Sequence, residues 1–159
     1  MKFMLVDSRE KPKAIKSILE TFDTRGIEYV ISKLPFGDYT DWNQNKFVID
    51  RKQNIAELAK NVTIDHERFR REILLANKAG SKLVILVEQN RYKDRDKWVH
   101  VEDISDLMLW TNPHTTIIGE RIYRILASMV AKYKIEVRFC DKRQTGQKIL
   151  EIIYGNEEE

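Results

Sequence analysis

The sequence predicts an α/β fold, a mixed central sheet flanked by helices. Three observations predict it. Short apolar or alternating runs, bounded by Gly, Pro and Asp, recur along the chain. Between them stand segments whose apolar residues recur at three- and four-residue spacing. A composition of 42% hydrophobic and 33% charged residues over 159 positions is that of one globular domain with a continuous core.

Taken in order, Lys2 to Val6 reads as a first strand. Pro12 opens a helix, where a first-turn proline loses no hydrogen bond. Its inner stripe is Ala14, Ile15, Ile18, Leu19 and Phe22, and Gly26 stops it. Ile27 to Leu34 is a second strand. Pro35-Phe36-Gly37-Asp38-Tyr39 is a turn into a hairpin partner. Lys46 to Arg51 follows as a strand, with Phe47 and Ile49 on one face and Val48 and Asp50 on the other. Ile55, Leu58, Ala59 and Val62 mark a short helix. Asp65 caps a longer one from His66 to Ala79, and Gly80 ends it. Lys82 to Glu88 is a strand buried on both faces. Gln89 to Val101, rich in charge, reads as a solvated loop. Glu102 to Trp110 reads as helical, as does Gly119 to Tyr133, with Ile122, Ile125, Leu126 and Met129 inward. Ile135 to Cys140 is a last strand and Thr145 to Tyr154 a last helix. Residues 1–154 form a single domain in this reading, and 155–159 an acidic tail.

Composition excludes several classes. One cysteine, Cys140, excludes an internal disulfide framework and a Cys-rich zinc site. It reads as a small buried apolar residue and suits a reducing cytoplasm. No apolar run approaches the roughly 20 residues of a membrane span. Met1 to Asp7 is too short before its first acid to serve as a signal peptide. Glycine-rich phosphate loops and nucleophile elbows are absent. The formal charge of +3 neither requires nor excludes a polyanionic partner.

The acids carry the chemical information. Asp7 ends the first strand and Glu10 follows it. Asp38 sits in the hairpin turn. Asp50 lies inside the apolar run Phe47-Val48-Ile49, where a carboxylate must be paired, protonated or bound to metal. The hairpin brings Asp38 beside Asp50, and two hard oxygen ligands suit Mg²⁺ or Mn²⁺. Lys52, two residues on, shares the strand face of Asp50. There an ammonium can orient an attacking water or offset charge on a phosphate. This set is suited to metal-dependent phosphodiester hydrolysis. Spacing alone equally fits a turn aspartate and ordinary sheet charges.

Five segments together resemble the nuclease domain of XPF-type proteins. Val6-Asp7-Ser8-Arg9-Glu10 is similar to its V-D-x-R-E motif and Gly37-Asp38-Tyr39 to its G-D-Y motif. Asp50-Arg51-Lys52 stands where the family has E-R-K. Arg68-Phe69-Arg70-Arg71-Glu72 resembles an R-F-R-x-Q helix. Lys82 to Glu88 resembles a strand ending in V-E. The resemblance covers residues 3–88 and is looser beyond. It implies a restriction-endonuclease-like PD-(D/E)xK core and a divalent-metal endonuclease acting on DNA, often at forks, flaps or branches. Position by position, it makes Asp38 and Asp50 metal ligands for Mg²⁺ or Mn²⁺ and Lys52 the catalytic lysine. Asp7 and Glu10 become accessory acids of the catalytic set. Arg9 and Arg51 would contact the acids or the phosphate. The basic cluster of the third helix makes Arg68 and Arg71 candidate DNA contacts, a solvated face paired with Glu67 and Glu72 being the alternative. The family's pairing of nuclease domains implies a possible homodimer, and Met108, Leu109 and Trp110 fit either its interface or a helix packed on its own sheet.

The chain also departs from the family. Asp50 replaces the usual Glu, and Glu72 a usual Gln. An acid four residues after the lysine falls at Ala56, with Glu57 a possible substitute one step later. The helix-hairpin-helix module of eukaryotic members has no counterpart. A small cytoplasmic nuclease of bacterial or phage origin is the expectation. The alternatives are a catalytically silent DNA-binding or scaffolding module, a junction resolvase or an RNA nuclease. His66 reads as a helix-start surface residue, and His114 as a loop residue. Trp98 and Trp110 read as packing residues, with base stacking the alternative. Lys142, Arg143 and Lys148 fit either a DNA-tracking edge or a solvated surface.

Overall fold

The computed structural model describes residues 2–90, 92–94 and 97–155. The order of elements is β1 (Phe3–Asp7), α1 (Lys16–Thr24), β2 (Glu28–Ser32), β3 (Tyr39–Asp41), β4 (Phe47–Lys52), α2 (Ile55–Val62), α3 (His66–Lys78), β5 (Lys82–Gln89), β6 (Tyr92–Asp94), β7 (Lys97–Val99), α4 (Gly119–Tyr133), β8 (Glu136–Asp141) and α5 (Thr145–Tyr154). Six strands form one sheet in the order β2-β1-β3-β4-β5-β8. β1 and β2 run parallel, β3 is antiparallel to both β1 and β4, and β4, β5 and β8 run parallel. The mixed sheet and its helical cover are those the sequence predicts.

Each face of the sheet buries its own apolar cluster. Val48, Leu83, Ile85 and Val87 pack against α2, α3 and α4 through Leu58, Phe69, Ile73, Ile122 and Leu126. Met4, Val6, Ile49, Val84 and Leu86 pack against α1 and α5 through Ile18, Phe22, Ile149 and Ile153. Alternation along β5 therefore supplies both cores, and an almost unbroken apolar strand is what that requires. The same alternation along β4 sends Val48, Asp50 and Lys52 toward α2 and α3. It sends Ile49 and Arg51 toward α1 and α5.

Four expectations are revised. The turn after Pro12 donates two backbone N–H groups, of Ala14 and Ile15, to the Lys11 carbonyl, so α1 starts only at Lys16. Asp65 is the N-cap of α3, but its side chain makes no capping bond. Within the expected solvated loop, β6 and β7 pair as an antiparallel ribbon. Arg91, Arg95, Asp96 and the side chain of Trp98 lie outside the described residues, as does most of the acidic tail. The expected helix at 102–110 is a 3-10 helix, Ile104–Leu109, capped by Asp103 and Asp106 reciprocally. Trp110 packs in the core, whereas Met108 and Leu109 stay exposed. No helix among the described residues is long and apolar enough to cross a membrane.

Gly37 shapes the turn before Asp38. Its φ is +71°, and a Cβ there would run into Val48 Cγ1. Beyond it, the Asp38 amide donates to the Ile49 carbonyl at 2.7 Å and the Asp7 amide donates to the Asp38 carbonyl at 2.8 Å. The turn is thus stitched to both neighbouring strands. Gly37→Ala is expected to lower unfolding stability by about 1–3 kcal/mol, through backbone strain and overpacking. Urea denaturation measures this, and an unchanged midpoint would refute the account of the turn.

Candidate active site

A cavity of about 600 Å³ opens between the Gly37–Asp38 turn, the C-terminal end of β4 and helices α2 and α3. Its walls include Asp38, Asp50, Lys52, Asn61, Phe69 and Glu72, and its rim carries Lys60, Arg68 and Arg71. A smaller cavity of about 230 Å³ flanks the same residues on the side of Lys11 and Gln53.

β4 supplies the centre. Asp50 is 5% and Lys52 6% exposed, and Asp50 Oδ2 lies 3.1 Å from Lys52 Nζ. The pair is an ion pair by distance but not in hydrogen-bonding geometry, for Asp50 Oδ2 is buried without a hydrogen-bond donor. The lysine is held elsewhere. Its ammonium donates to Asn61 Oδ1 at 3.1 Å and sits 5.4 Å over the Phe69 ring. Asn61 is oriented in turn because its Nδ2 donates to the Glu57 carbonyl at 2.7 Å. Asp38 is fixed by the Arg51 amide, which donates to its Oδ2 at 2.7 Å.

Three carboxyls converge here and perturb one another. Burial, reinforced by Asp50 and Glu10, holds the Asp38 carboxyl well above the usual carboxylate range. Burial likewise pushes Glu72, beside Asp50, up to about 8. Burial alone would raise Asp50, but Lys52 outweighs it and the carboxyl stands below its ordinary value. The ammonium of Lys52 is lowered by burial and raised more by Asp50 and Glu72, so it stays charged. The front of β4 therefore holds a lowered carboxyl on Asp50, a raised ammonium on Lys52, a raised carboxyl on Asp38 and a Glu72 carboxyl that titrates near about 8.

The other expected residues divide sharply. Asp7 is 1% exposed and spends both oxygens. Oδ2 accepts from Arg9 Nε at 2.8 Å, while Oδ1 accepts from the Leu34 amide at 2.9 Å and from Arg9 Nη2 at 3.2 Å. Glu10 gives both oxygens to Arg51, at 2.8 and 2.9 Å. These two acids border the cavity as partners of arginines. Arg51 corrects the expectation of a phosphate contact. Its side chain is only 3% exposed and is closed by Glu10 and by Glu88, 2.5 Å from Nη1. Contact with acids, the other half of that expectation, is what occurs. Arg9 is more than half exposed beside Asp7, and Arg68 and Arg71 are exposed on α3. Glu57 is committed to the start of α2, where its Oε2 accepts from the Gln53 amide at 3.0 Å. Arg143 and Lys148 are paired with Asp141 and Glu151.

Asn61 and Glu72 are wall residues that sequence reasoning did not place in the site, where the sequence marks Glu72 only as a departure from a family Gln and a surface partner of the helix arginines. Glu72 Oε2 accepts from the Gly37 amide at 3.3 Å, tying α3 to the Asp38 turn. A signal existed, since Glu72 follows Arg68 by four residues and so shares its helix face.

Among the described residues, no three Asp, Glu, His or Cys side chains stand ready to hold a metal ion. The donor set that fits one is Asp38 with Asp50, because the buried and donor-less Asp50 Oδ2 is the oxygen a hard cation would satisfy.

In metal-free protein, the raised Glu72 carboxyl has a definite sign. Between about 4.5, its unfolded value, and about 8, the folded state keeps a proton that the unfolded chain has released. Stability from this group is full below the lower limit and is lost as pH rises to the upper. Glu72→Gln should therefore be more stable than the parent at pH 9 in EDTA and nearly equal to it at pH 4. Equal denaturation midpoints at pH 9 would refute the placement of Glu72.

Comparisons with known proteins show the same fold. XPF from Aeropyrum pernix superposes with a TM-score of 0.67 at 19% identity over 99% of this chain. The same protein in a complex with DNA gives 0.61 at 20% identity over 94%. In both cases this chain spans 62% of the other's length. No curated protein matches in sequence. The family model of the ERCC4 domain matches residues 6–153. The chain therefore belongs to the ERCC4 domain family, a nuclease family with a restriction-endonuclease-like fold.

Proposed function

We propose that the protein is a divalent-metal-dependent DNA endonuclease whose site is Asp38, Asp50 and Lys52. The observation that carries this reading is the buried Asp50 Oδ2, 3.1 Å from Lys52 Nζ but not hydrogen-bonded in geometry, in a cavity lined also by Asp38 and rimmed by Lys60, Arg68 and Arg71. Asp38 and Asp50 would hold Mg²⁺ or Mn²⁺. Such an ion, when bound, polarises a phosphoryl oxygen and lowers the pKa of a water. Lys52, held by Asn61, stabilises negative charge developing on the phosphate or orients the water. Arg68 and Arg71 draw the polyanion to an otherwise acidic centre and fix its register through phosphates. The DNA complex of the Aeropyrum pernix protein supports DNA as the substrate class.

Asp38→Ala and Asp50→Ala should abolish cleavage with the fold retained. Lys52→Ala should lower the rate roughly 10²–10⁴-fold. Duplex, single-stranded, forked and four-way-junction DNA, with RNA beside them, would be incubated with Mg²⁺, Mn²⁺ or EDTA. EDTA-sensitive cleavage of a DNA substrate is expected, and the preferred substrate reports structure selectivity. Cleavage of RNA alone favours an RNA nuclease. Binding without cleavage of any substrate overturns the reading in favour of a silent module. Pairing of two copies rests on exposed Met108 and Leu109, and sedimentation at micromolar concentration tests it.

A further inference from the structure

Behind β4 runs a buried chain of polar groups that reaches α5. Glu10 grips the Arg51 guanidinium from one side and Glu88 from the other. The second oxygen of Glu88 accepts from Thr145 Oγ1 at 2.5 Å. Thr145 is the first residue of α5 and is fully buried. Its hydroxyl has one proton and three partners in reach, Glu88 Oε2 being nearer than the Lys142 carbonyl at 3.2 Å or Cys140 Sγ at 3.7 Å. The proton therefore goes to Glu88. Glu88 lies one residue beyond Val87, which is in register with Lys52, so the chain crosses from β4 through β5 to α5.

Arg51 is where this chain meets the site. Its amide holds Asp38 Oδ2 at 2.7 Å, and its neighbours in the strand are Asp50 and Lys52. A shift of the Arg51 backbone would carry its amide, and so the Asp38 contact, together with the flanking Asp50 and Lys52. A guanidinium has a planar fork of donors, and two buried carboxylates fix that plane. Glu88 can fix it only while its own orientation is fixed, which is what the Thr145 hydroxyl supplies.

We propose that Glu88 and Thr145 are positioning residues that place Asp38, Asp50 and Lys52 through Arg51. The proposal rests on those three as the catalytic set. Its geometric core, the coupling of Thr145 to the Arg51–Asp38 contact, can be read without activity.

The test uses Thr145→Val, Thr145→Ser and Glu88→Gln in the full chain. NMR would follow the Arg51 amide by chemical shift and hydrogen exchange. Cleavage and Mn²⁺ affinity, the latter by electron paramagnetic resonance, would be measured on folded protein. Thr145→Val should shift the Arg51 amide and speed its exchange. It should lower kcat and Mn²⁺ affinity roughly 10-fold at unchanged KM. Thr145→Ser should restore all of these, and Glu88→Gln, which removes the charge facing Arg51 directly, should impair them at least as much as Thr145→Val. If Thr145→Val does not fold, Thr145→Ser and Glu88→Gln carry the comparison. An unchanged Arg51 amide in folded variants overturns the relay whatever the activity. A lower melting temperature with kcat, Mn²⁺ affinity and amide exchange intact makes the contact merely structural, and also overturns it. If the parent cleaves nothing and binds no Mn²⁺ yet its Arg51 amide responds to Thr145→Val, the nuclease reading fails while the coupling stands.

Discussion

Three consecutive charges, Asp50, Arg51 and Lys52, are buried at the end of β4, each 5–6% exposed. Removing an ion from water costs several kcal/mol unless partners replace its hydration. A strand points successive side chains to opposite faces, so both sides of the sheet must supply those partners. In front, Lys52 answers Asp50, while Asn61 and Phe69 hold Lys52. Behind, Glu10 and Glu88 answer Arg51. The turn after β1, the end of β5, α2, α3 and α5 are all tied to these three residues. The placement of the helices around β4 is in this sense set by electrostatic need as well as by apolar burial.

The two faces meet that need differently. Behind the strand the pairing closes, because Arg51 has two carboxylates and Glu88 has a further donor in Thr145. Such fully paired networks rigidify. In front it does not close. Asp50 Oδ2 lacks a donor, and Asp38 and Glu72 crowd it with raised carboxyls. Buried polar atoms without a hydrogen-bond partner are few in folded proteins, and Asp50, which carries one, lines the cavity. Fixing one face firmly is what allows the other to stay electrostatically open.

Periodicity carried most of the architecture. The apolar runs of β4 and β5 and the stripes of α2, α4 and α5 lie where the residues place them, since each is a local pattern answered by a core. Asp38, Asp50 and Lys52 were legible for the same reason, as a turn and a two-residue spacing along one strand. The fates of Arg51, Asp7 and Glu10 were not. Arg51 is buried because β5 lies beside β4 in a register that sets Lys52 against Val87 and so brings Glu88 within reach. Register and strand order are non-local, and no spacing within residues 50–52 reveals them. The ribbon of β6 and β7 was missed because its charges mask a pairing set by backbone hydrogen bonds.

The separation of charge follows from the same geometry. The acids of the site lie deep in the cavity, while Lys60, Arg68 and Arg71 stand at its mouth on α2 and α3. A polyanion approaching an acidic centre is repelled within roughly a Debye length, about 8 Å at physiological salt. Cations on the rim reverse that field where a phosphate first arrives. Bound metal would reverse it at the bottom, where Asp38 and Asp50 lie. Arg51 is basic but serves neither purpose, because two buried carboxylates already neutralise it. The net charge of +3 therefore says little by itself. What matters is that the cations at the cavity mouth lie on helix surfaces, whereas those paired within the fold lie inside the sheet.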